Sequence, residues 1–220
     1  GHAMAYDTAR GVTVLFGGSI SGLGAGSDTW EWDGESWTER PSPPLDMAQP
    51  WLSETPTSRS GHAMAYDPAR GVTVLFGGSS HQDTWEWDGE SWTERTPPPE
   101  ELFGPSPRTR SGHAMAYDTA RGVTVLFGGE GSYPEGGEQQ DTWGSHQDTW
   151  EWDGDRWGER TPDDTMPSAR YSHAMAYDAK RGVTVLFGGG GLQDTWEWDG
   201  EGWPERTPPF MDIAMAPPRA

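Results

Sequence analysis

Two kinds of side chain that can bind anions or metals recur at matched positions along the chain. An arginine precedes a short apolar segment and a histidine begins it; the residues are Arg59, Arg110, Arg170 and Arg219, with His2, His62, His113 and His173. Clustered guanidinium groups bind carboxylates strongly, so the arginines are predicted to bind an anionic ligand. In the structural alternative, each arginine pairs with a carboxylate of a neighbouring repeat, and each histidine bonds a backbone group.

The same histidines and a set of carboxylates raise the question of metal binding. Zinc needs ligands at about 2.0–2.1 Å that converge on one point, and four repeated histidines meet this condition only if all of them point inward. Calcium needs about six to eight converging oxygens. The acidic residues Asp28, Glu31, Asp33 and Glu35, with their copies, lie along one predicted strand and turn and are interpreted as a solvated edge. We therefore predict neither a metal nor a cofactor.

The signal for catalysis is poor. The chain has no cysteine, which excludes disulfides, thiol catalysis and Cys-ligated metals. No Ser/His/Asp nucleophile context and no phosphate-binding glycine loop is present. Residues that occur in all copies are better explained by a shared structural role than by one active site, so we expect that the protein is not an enzyme.

The connecting segments that differ between copies carry aromatic residues. Trp51, Tyr133 and Trp143 are the candidates for exposed contacts with a ligand, since longer aromatic loops on one face of a rigid scaffold suit binding. The alternative is that such side chains fold back onto the core. The segment around Trp143 repeats its own strand start, with Asp-Thr-Trp at 141–143 and again at 148–150, which looks like a local duplication.

All of these residues belong to a unit that occurs four times. Its cleanest copy, residues 61–95, consists of GHAMAYDPARGVTVLFGG, SSHQ and DTWEWDGESWTER, and the other copies begin at residues 1, 112 and 172. A period of about 50 residues is typical of propellers and solenoids. The low hydrophobic content of 32% alone suggests disorder, but 14 tryptophans and apolar runs that recur in register outweigh it.

Each copy predicts a four-stranded antiparallel meander. HAMAYD forms an inner strand rich in small residues, VTVLF is apolar on both faces and predicts a strand covered on both sides, and DTWEWD alternates with its tryptophans on one face. Asp88-Gly89 predicts a hairpin. A two-residue turn sets Trp85 opposite Trp92, whereas a four-residue turn sets Trp87 opposite Trp92, and both registers remain open.

The order of these segments resembles the kelch repeat: an arginine and histidine before an apolar strand, a second strand ending in Gly-Gly, an aromatic strand and a final tryptophan. The resemblance covers essentially the whole chain, four times. It implies a β-propeller. Kelch domains usually have six or seven blades, and most of them are binding platforms. Some are enzymes, including the copper oxidase that acts on galactose, but its Cys-modified tyrosine needs a cysteine. Two departures are the presence of only four repeats and the short Trp-Asp-Gly-x-x-Trp spacing.

The expected fold class is therefore all-β, a β-propeller of four kelch-like four-stranded antiparallel blades. One domain, 1–220, contains blades at about 1–60, 61–111, 112–171 and 172–220. The end Pro-Arg-Ala joined to the start Gly-His resembles the internal junction at 58–62, which favours neighbouring termini in a closed four-blade monomer. A homodimer that completes an eight-blade ring, and a fragment of a longer array, remain alternatives.

The charge of the chain limits its partners. A formal net charge of −20 disfavours nucleic acid and anionic membrane surfaces, and no apolar run reaches the roughly 18 residues of a membrane span. The compartment stays open. We expect a noncatalytic scaffold that recognises a protein or peptide through the face with the variable loops. A lectin-like module that binds carbohydrate, and a self-assembling building block, are the alternatives.

Overall fold

The computed structural model describes residues 1–20, 24–41, 55–96, 105–134, 141–162 and 165–206. Within these residues the protein is all-β, without a helix, and its strands form five antiparallel sheets. The strands are β1 (Ala3–Asp7), β2 (Val12–Ile20), β3 (Gly24–Trp32), β4 (Trp37–Arg40), β5 (Ala63–Asp67), β6 (Val72–Phe76), β7 (Thr84–Trp87), β8 (Trp92–Glu94), β9 (Arg110–Ser111), β10 (Ala114–Asp118), β11 (Val123–Phe127), β12 (Glu130–Pro134), β13 (Asp141–Ser145), β14 (Thr149–Trp152), β15 (Trp157–Glu159), β16 (Ala174–Asp178), β17 (Val183–Gly189) and β18 (Leu192–Trp198).

Four of the sheets, here called the repeat sheets, correspond to the four sequence copies. Their strand orders are β1-β2-β3-β4, β5-β6-β7-β8, β10-β11-β14-β15 and β16-β17-β18. In the fourth sheet the position of the last strand holds a single bridge, Trp196 to Glu205. The meander order is thus the predicted one, because each short turn joins strands that are neighbours in the sheet.

The second strands of the second and third repeat sheets, β6 and β11, are covered on both sides, as their sequence predicts. Val74, Leu75 and Phe76 of β6 are fully buried. Val74 and Phe76 belong to one apolar cluster, and Leu75 belongs to another. A strand apolar on both faces therefore lies between two layers of side chains.

The outer hairpin uses the four-residue turn. Trp87 pairs with Trp92 across β7 and β8, and their ring centroids are 5.5 Å apart. Asp88 Oδ1 accepts hydrogen bonds from the backbone N–H groups of Glu90 and Ser91, both at 2.8 Å. This aspartate turn explains why the longer loop forms, since its side chain replaces missing backbone bonds.

The repeat sheets pack in sequence order through their inner strands. β1 packs on β5, β5 on β10 and β10 on β16. Backbone bonds continue the series, from Gly61 N to Gly1 O at 2.8 Å, from Gly112 N to Gly61 O at 2.8 Å and from Ser172 N to Gly112 O at 2.7 Å. Over the described ranges, the first and fourth repeat sheets make no comparable contact.

Each of the three junctions between repeat sheets has the same asymmetric composition. One sheet contributes Ala, Val and Phe side chains, here called its back face, and the following sheet contributes Met, Tyr, Leu and Trp side chains, its front face. At the first junction the back face is Ala5, Val14 and Phe16, and the front face is Met64, Tyr66, Leu75, Trp85, Trp87 and Trp92. The second and third junctions repeat this pattern, so the core consists of layers between sheets.

Candidate binding surface

The three described arginines of the predicted anion site are buried between strands. Arg59 donates from Nη1 to Asp83 Oδ1 at 2.6 Å and from Nη2 to Asp83 Oδ2 at 2.7 Å, and it also donates to the carbonyl of Gly77 at 3.0 Å. Arg110 and Arg170 repeat this geometry with Asp148 and Asp194. All three side chains have no exposed surface.

These ion pairs have the form of the structural alternative, in which an arginine pairs with a carboxylate of a neighbouring repeat. By the bounds given above, Arg59 lies at the end of the repeat at 1–60, whereas Asp83 belongs to the next repeat and immediately precedes β7. Hydrogen bonding from Arg170 lowers the pKa of Asp194 to about 2, which keeps this carboxylate charged. Ligand binding by the arginines stays a prediction, but their occupied, buried guanidinium groups favour the structural role. Arg219 lies outside the described residues.

His62, His113 and His173 lie in three separate junctions, whereas His2 is exposed. His62 Nε2 donates to the carbonyl of Phe16 at 3.1 Å, and His113 Nε2 donates to that of Phe76 at 3.2 Å. His173 packs edge-on against Phe127, with ring centroids 5.7 Å apart. Among the described residues, no three His, Asp or Glu side chains form a group that could hold a metal ion. His62, His113 and His173 therefore each belong to a contact between two sheets.

The interpretation of the acidic strand as a solvated edge was wrong for its central glutamate. Glu31 is buried and accepts hydrogen bonds from Arg10 at 2.5 Å and Arg40 at 2.7 Å. It also accepts the indole N–H of Trp87 from the next sheet at 3.0 Å. Two arginines compensate the buried charge, so the glutamate can serve as an acceptor between sheets. Asp33, by contrast, is exposed in its turn.

The third repeat carries an additional hairpin between its second and third strands. Strands β12 and β13 pair with each other, and β12 also pairs with β9, which gives the sheet order β13-β12-β9. The apparent duplication of Asp-Thr-Trp therefore forms a separate strand rather than extending β14. Trp143, on β13, is 59% exposed, as expected for a contact residue.

The other two aromatic candidates are less informative. Tyr133 pairs with Thr142 in the β12–β13 ladder, and its side chain is outside what the structure describes. Trp51 lies in 42–54, beyond the described residues. Trp143 is thus the one candidate of the three whose side-chain environment is known, and its role as a ligand contact stays a prediction.

A cleft of about 460 Å³ begins at the end of this hairpin. It is lined by Ser145, His146, Gln147, Asp148, Glu159, Thr161, Met166 and Ala169. Residues two apart on a strand share a face, so Trp143 and Ser145 point the same way from β13. Asp148 is bound to Arg110, whereas Glu159 is exposed. Sequence reasoning did not single out Glu159, since nothing in the repeat pattern marks it as a neighbour of this hairpin.

A second concavity follows the four inner strands. It has a volume of about 510 Å³ and is lined by alanine, methionine and tyrosine side chains of all four repeats, together with Thr8, Pro68 and Thr119 of the constant turns. The inner strands thus border one groove, in line with their small residues. Its lining is nearly the same in each copy, so it offers fewer distinguishing contacts than the cleft beside β13.

Comparisons with known proteins bear on the fold only. No family model and no curated protein matches the chain. Among 97 matching chains of solved structures is one titled "Structure of YjhT", with 13% identity and a TM-score of 0.50 over 89% of this chain and 80% of that one. In the part of the chain that the structure describes, no helix is long and apolar enough to cross a membrane.

Proposed function

We propose that the four repeat sheets are kelch-like blades of a β-propeller that serves as a noncatalytic scaffold for binding a protein or peptide. The meander order within each sheet and the sequential packing through the inner strands support the propeller. Recurring charged residues such as Arg59 and Glu31 are engaged in bonds within or between sheets. Recognition then falls to the segments that differ between copies.

The observation that carries this proposal is the exposed indole of Trp143 on the β12–β13 hairpin. An indole exposed to water gains free energy when a partner buries it, and tryptophans are enriched among the residues that dominate binding energy. The hairpin holds the indole on a paired strand rather than on a free loop. A contact residue that is fixed before binding loses little conformational entropy on complex formation.

The charge at the cleft beside the β12–β13 hairpin indicates the kind of ligand. Glu159 is exposed at the cleft, and the chain carries a net charge of −20. Opposite charge on a partner steers association and selects against anionic competitors. The ligand is accordingly a basic protein segment or peptide, with an aromatic or aliphatic group against Trp143 and a cationic group towards Glu159.

The test is selection of random displayed peptides on the immobilised full chain. We expect enriched peptides that carry Lys or Arg and bind saturably. Trp143→Ala should weaken the binding of a selected synthetic peptide at least about 30-fold, the effect of losing a dominant contact. Tyr171→Ala, a control at another exposed aromatic residue, should leave it unchanged. Failure to enrich any peptide, or equal binding by the Trp143→Ala variant, would contradict the proposal.

The lectin-like alternative rests on the same indole, because an exposed aromatic face also stacks on sugars. A glycan array probed with the unmodified protein separates the two functions. Saturable sugar binding that is lost in Trp143→Ala, without any selected peptide, would favour carbohydrate as the ligand and overturn the peptide proposal.

A further inference from the structure

The first repeat sheet has a front face that no other sheet covers among the described residues. Its Met4, Tyr6 and Trp37 are 50%, 57% and 45% exposed. The equivalent residues of the second sheet, Met64, Tyr66 and Trp92, are buried against the back face of the first. Near-identical sequences thus have opposite environments, and the difference is whether a sheet precedes them.

The fourth repeat sheet shows the converse, a back face that no sheet covers within the part of the chain that the structure describes. Phe187 is 54% exposed, whereas its equivalents Phe16, Phe76 and Phe127 have no exposed surface. Ala174 and Ala176 of β16 are exposed too. Monomeric proteins rarely leave a contiguous apolar surface of this kind open, so this face is expected to have a partner.

The contacts inside the chain specify what fits these two faces. Phe16 packs edge-on against His62 at 5.6 Å and Trp92 at 5.2 Å between ring centroids, both from the following sheet. The next two junctions repeat this pair of contacts, for Phe76 and for Phe127. A sheet that follows the fourth one should therefore present a histidine and a tryptophan to Phe187.

A polar contact accompanies the apolar one at every junction. Trp152 Nε1 donates to Glu86 at 3.1 Å, and Trp198 Nε1 donates to Glu151 at 2.9 Å, each from the following sheet. In the fourth sheet Glu197 accepts from Arg181 and Arg206, and no indole N–H from the described residues reaches it. The partner of this face thus needs an indole donor at the position of Trp152.

The first repeat sheet supplies all of these groups on its open front face. His2 and Trp37 stand at the positions of the histidine and tryptophan that meet each buried phenylalanine, and Trp32 stands at the position of the indole donor. The two open faces have the same composition as the two sides of every internal junction. Because the two faces lie at opposite ends of the series of sheets, one chain presents both halves of a junction that its described residues do not make.

We propose that two copies of the chain associate head to tail, with the back face of the fourth sheet of each copy against the front face of the first sheet of the other. Phe187 then packs on His2 and Trp37 of the second copy. A heterologous contact that is made twice closes a two-fold ring. The ring contains eight repeat sheets, at the upper end of the roughly four to eight blades of propellers.

Light scattering across a concentration series tests this dimer. We expect a mass near twice 24.1 kDa that stays constant at high concentration. Phe187→Glu and Trp37→Glu each damage both junctions of a homodimer, since every junction needs one intact face of each kind. Each variant should weaken dimerisation at least about 30-fold per junction and run as a monomer. Trp143→Glu, at an exposed tryptophan away from both faces, should remain dimeric.

Mixing the two variants provides a sharper test. The Phe187→Glu chain keeps its front face, and the Trp37→Glu chain keeps its back face, so an equimolar mixture can form one intact junction. The mass should rise on mixing, although each variant alone is a monomer. Far-UV circular dichroism and cooperative thermal unfolding of each variant, compared with the unmodified protein, check that the exposed substitutions leave the fold intact.

Four results would overturn the proposal. The unmodified protein could stay at 24.1 kDa at all concentrations, which would mean that the ends do not join between copies. The mass could climb beyond twice that value, which would mean an open filament instead of a ring. The Phe187→Glu variant could remain a dimer, which would place the interface elsewhere. The mixture of variants could remain monomeric, which would exclude a head-to-tail contact.

Discussion

Buried histidines make the junctions sensitive to acid. Burial lowers the pKa of His62 and of His173 from 6.5 to about 4. The folded protein therefore takes up these two protons at a lower pH than the unfolded chain does. Stability then rises with pH between about 4 and 6.5 and is lost as the pH falls through that window. As the pH falls through this window, each of the two histidines should lower the free energy of unfolding by about 3 kcal/mol.

Urea denaturation at the two ends of this pH window measures the effect. His62→Gln keeps an N–H donor for the carbonyl of Phe16 but removes the titration, so its stability should depend less on pH by about 3 kcal/mol. His2→Gln, at the exposed copy of the same position, is the matched control. It should leave the pH dependence of stability unchanged when it is compared in the Phe187→Glu background, which keeps the end faces apart. An equal pH dependence in the His62→Gln variant would exclude the histidine as its origin.

The sequence predicted structural roles for the repeated histidines and arginines but did not identify the residues that they contact. The histidine bonds to backbone and the involvement of each arginine with a carboxylate were foreseeable from repetition. The partner was not, since Arg59 and Asp83 are 24 positions apart and other carboxylates of the repeat were equally available. Glu31 was misjudged because alternation along a strand indicates two faces but does not tell which one another sheet will cover.

The outer hairpins couple neighbouring sheets. Gly34 and Gly89 occupy the same position in two of these turns, with φ of +103° and +101°. A Cβ at Gly34 meets nothing within 4 Å, but one at Gly89 lies 2.8–2.9 Å from the guanidinium of Arg10. Arg10 is held there by Asp7 at 2.6 Å and Glu31 at 2.5 Å, so it cannot move without loosening the glutamate between the sheets.

This pair of glycines separates backbone strain from coupling between sheets. Gly34→Ala should cost about 1 kcal/mol, since alanine disfavours a positive φ. Gly89→Ala should cost about 1–2 kcal/mol more, because it also displaces an arginine from a buried network. Thermal unfolding of both variants, in the Phe187→Glu background that keeps the end faces apart, gives the comparison. Equal losses would mean that Arg10 adjusts without cost.

The elements themselves were largely predictable, with two limits. Strand order and two-sided burial of β6 follow from apolar runs that recur between turn residues. The hairpin register stayed open because Asp-Gly suits both turn lengths, and the choice depends on the bonds that Asp88 makes to Glu90 and Ser91. The β12–β13 hairpin was not anticipated, since its residues lie outside the repeat and resemble a copying error.

At the scale of the whole molecule, the near-identical repeats give no sequence signal for the open faces of the first and fourth repeat sheets. Phe127 and Phe187 stand in the same sequence context, VTVLFGG, yet one is buried and the other is exposed. No local pattern distinguishes them, because the difference lies in the number of sheets and not in any residue. The expected contact between the first and fourth sheets is not made in the described residues, and this is why their open faces became visible only in the structure.

Salt should act in opposite directions on the two proposed interactions. Each copy carries a net charge of −20, so two copies repel each other, and this repulsion is screened as the Debye length falls from about 30 Å at 0.01 M to about 3 Å at 1 M ionic strength. The faces that join are mainly apolar, and apolar burial does not weaken with salt. Sodium chloride should therefore strengthen the dimer, by about tenfold over this range.

Binding of a basic peptide beside Glu159 depends on attraction, which the same salt screens, so its affinity should fall over the same range. Sedimentation equilibrium measures the first effect, and fluorescence titration of a selected peptide measures the second. The Phe187→Glu variant should stay monomeric at every salt concentration, which separates the end faces from general salting-out. A dimer that weakens with salt would indicate an ionic contact between copies and would contradict the apolar junction from which its geometry is inferred.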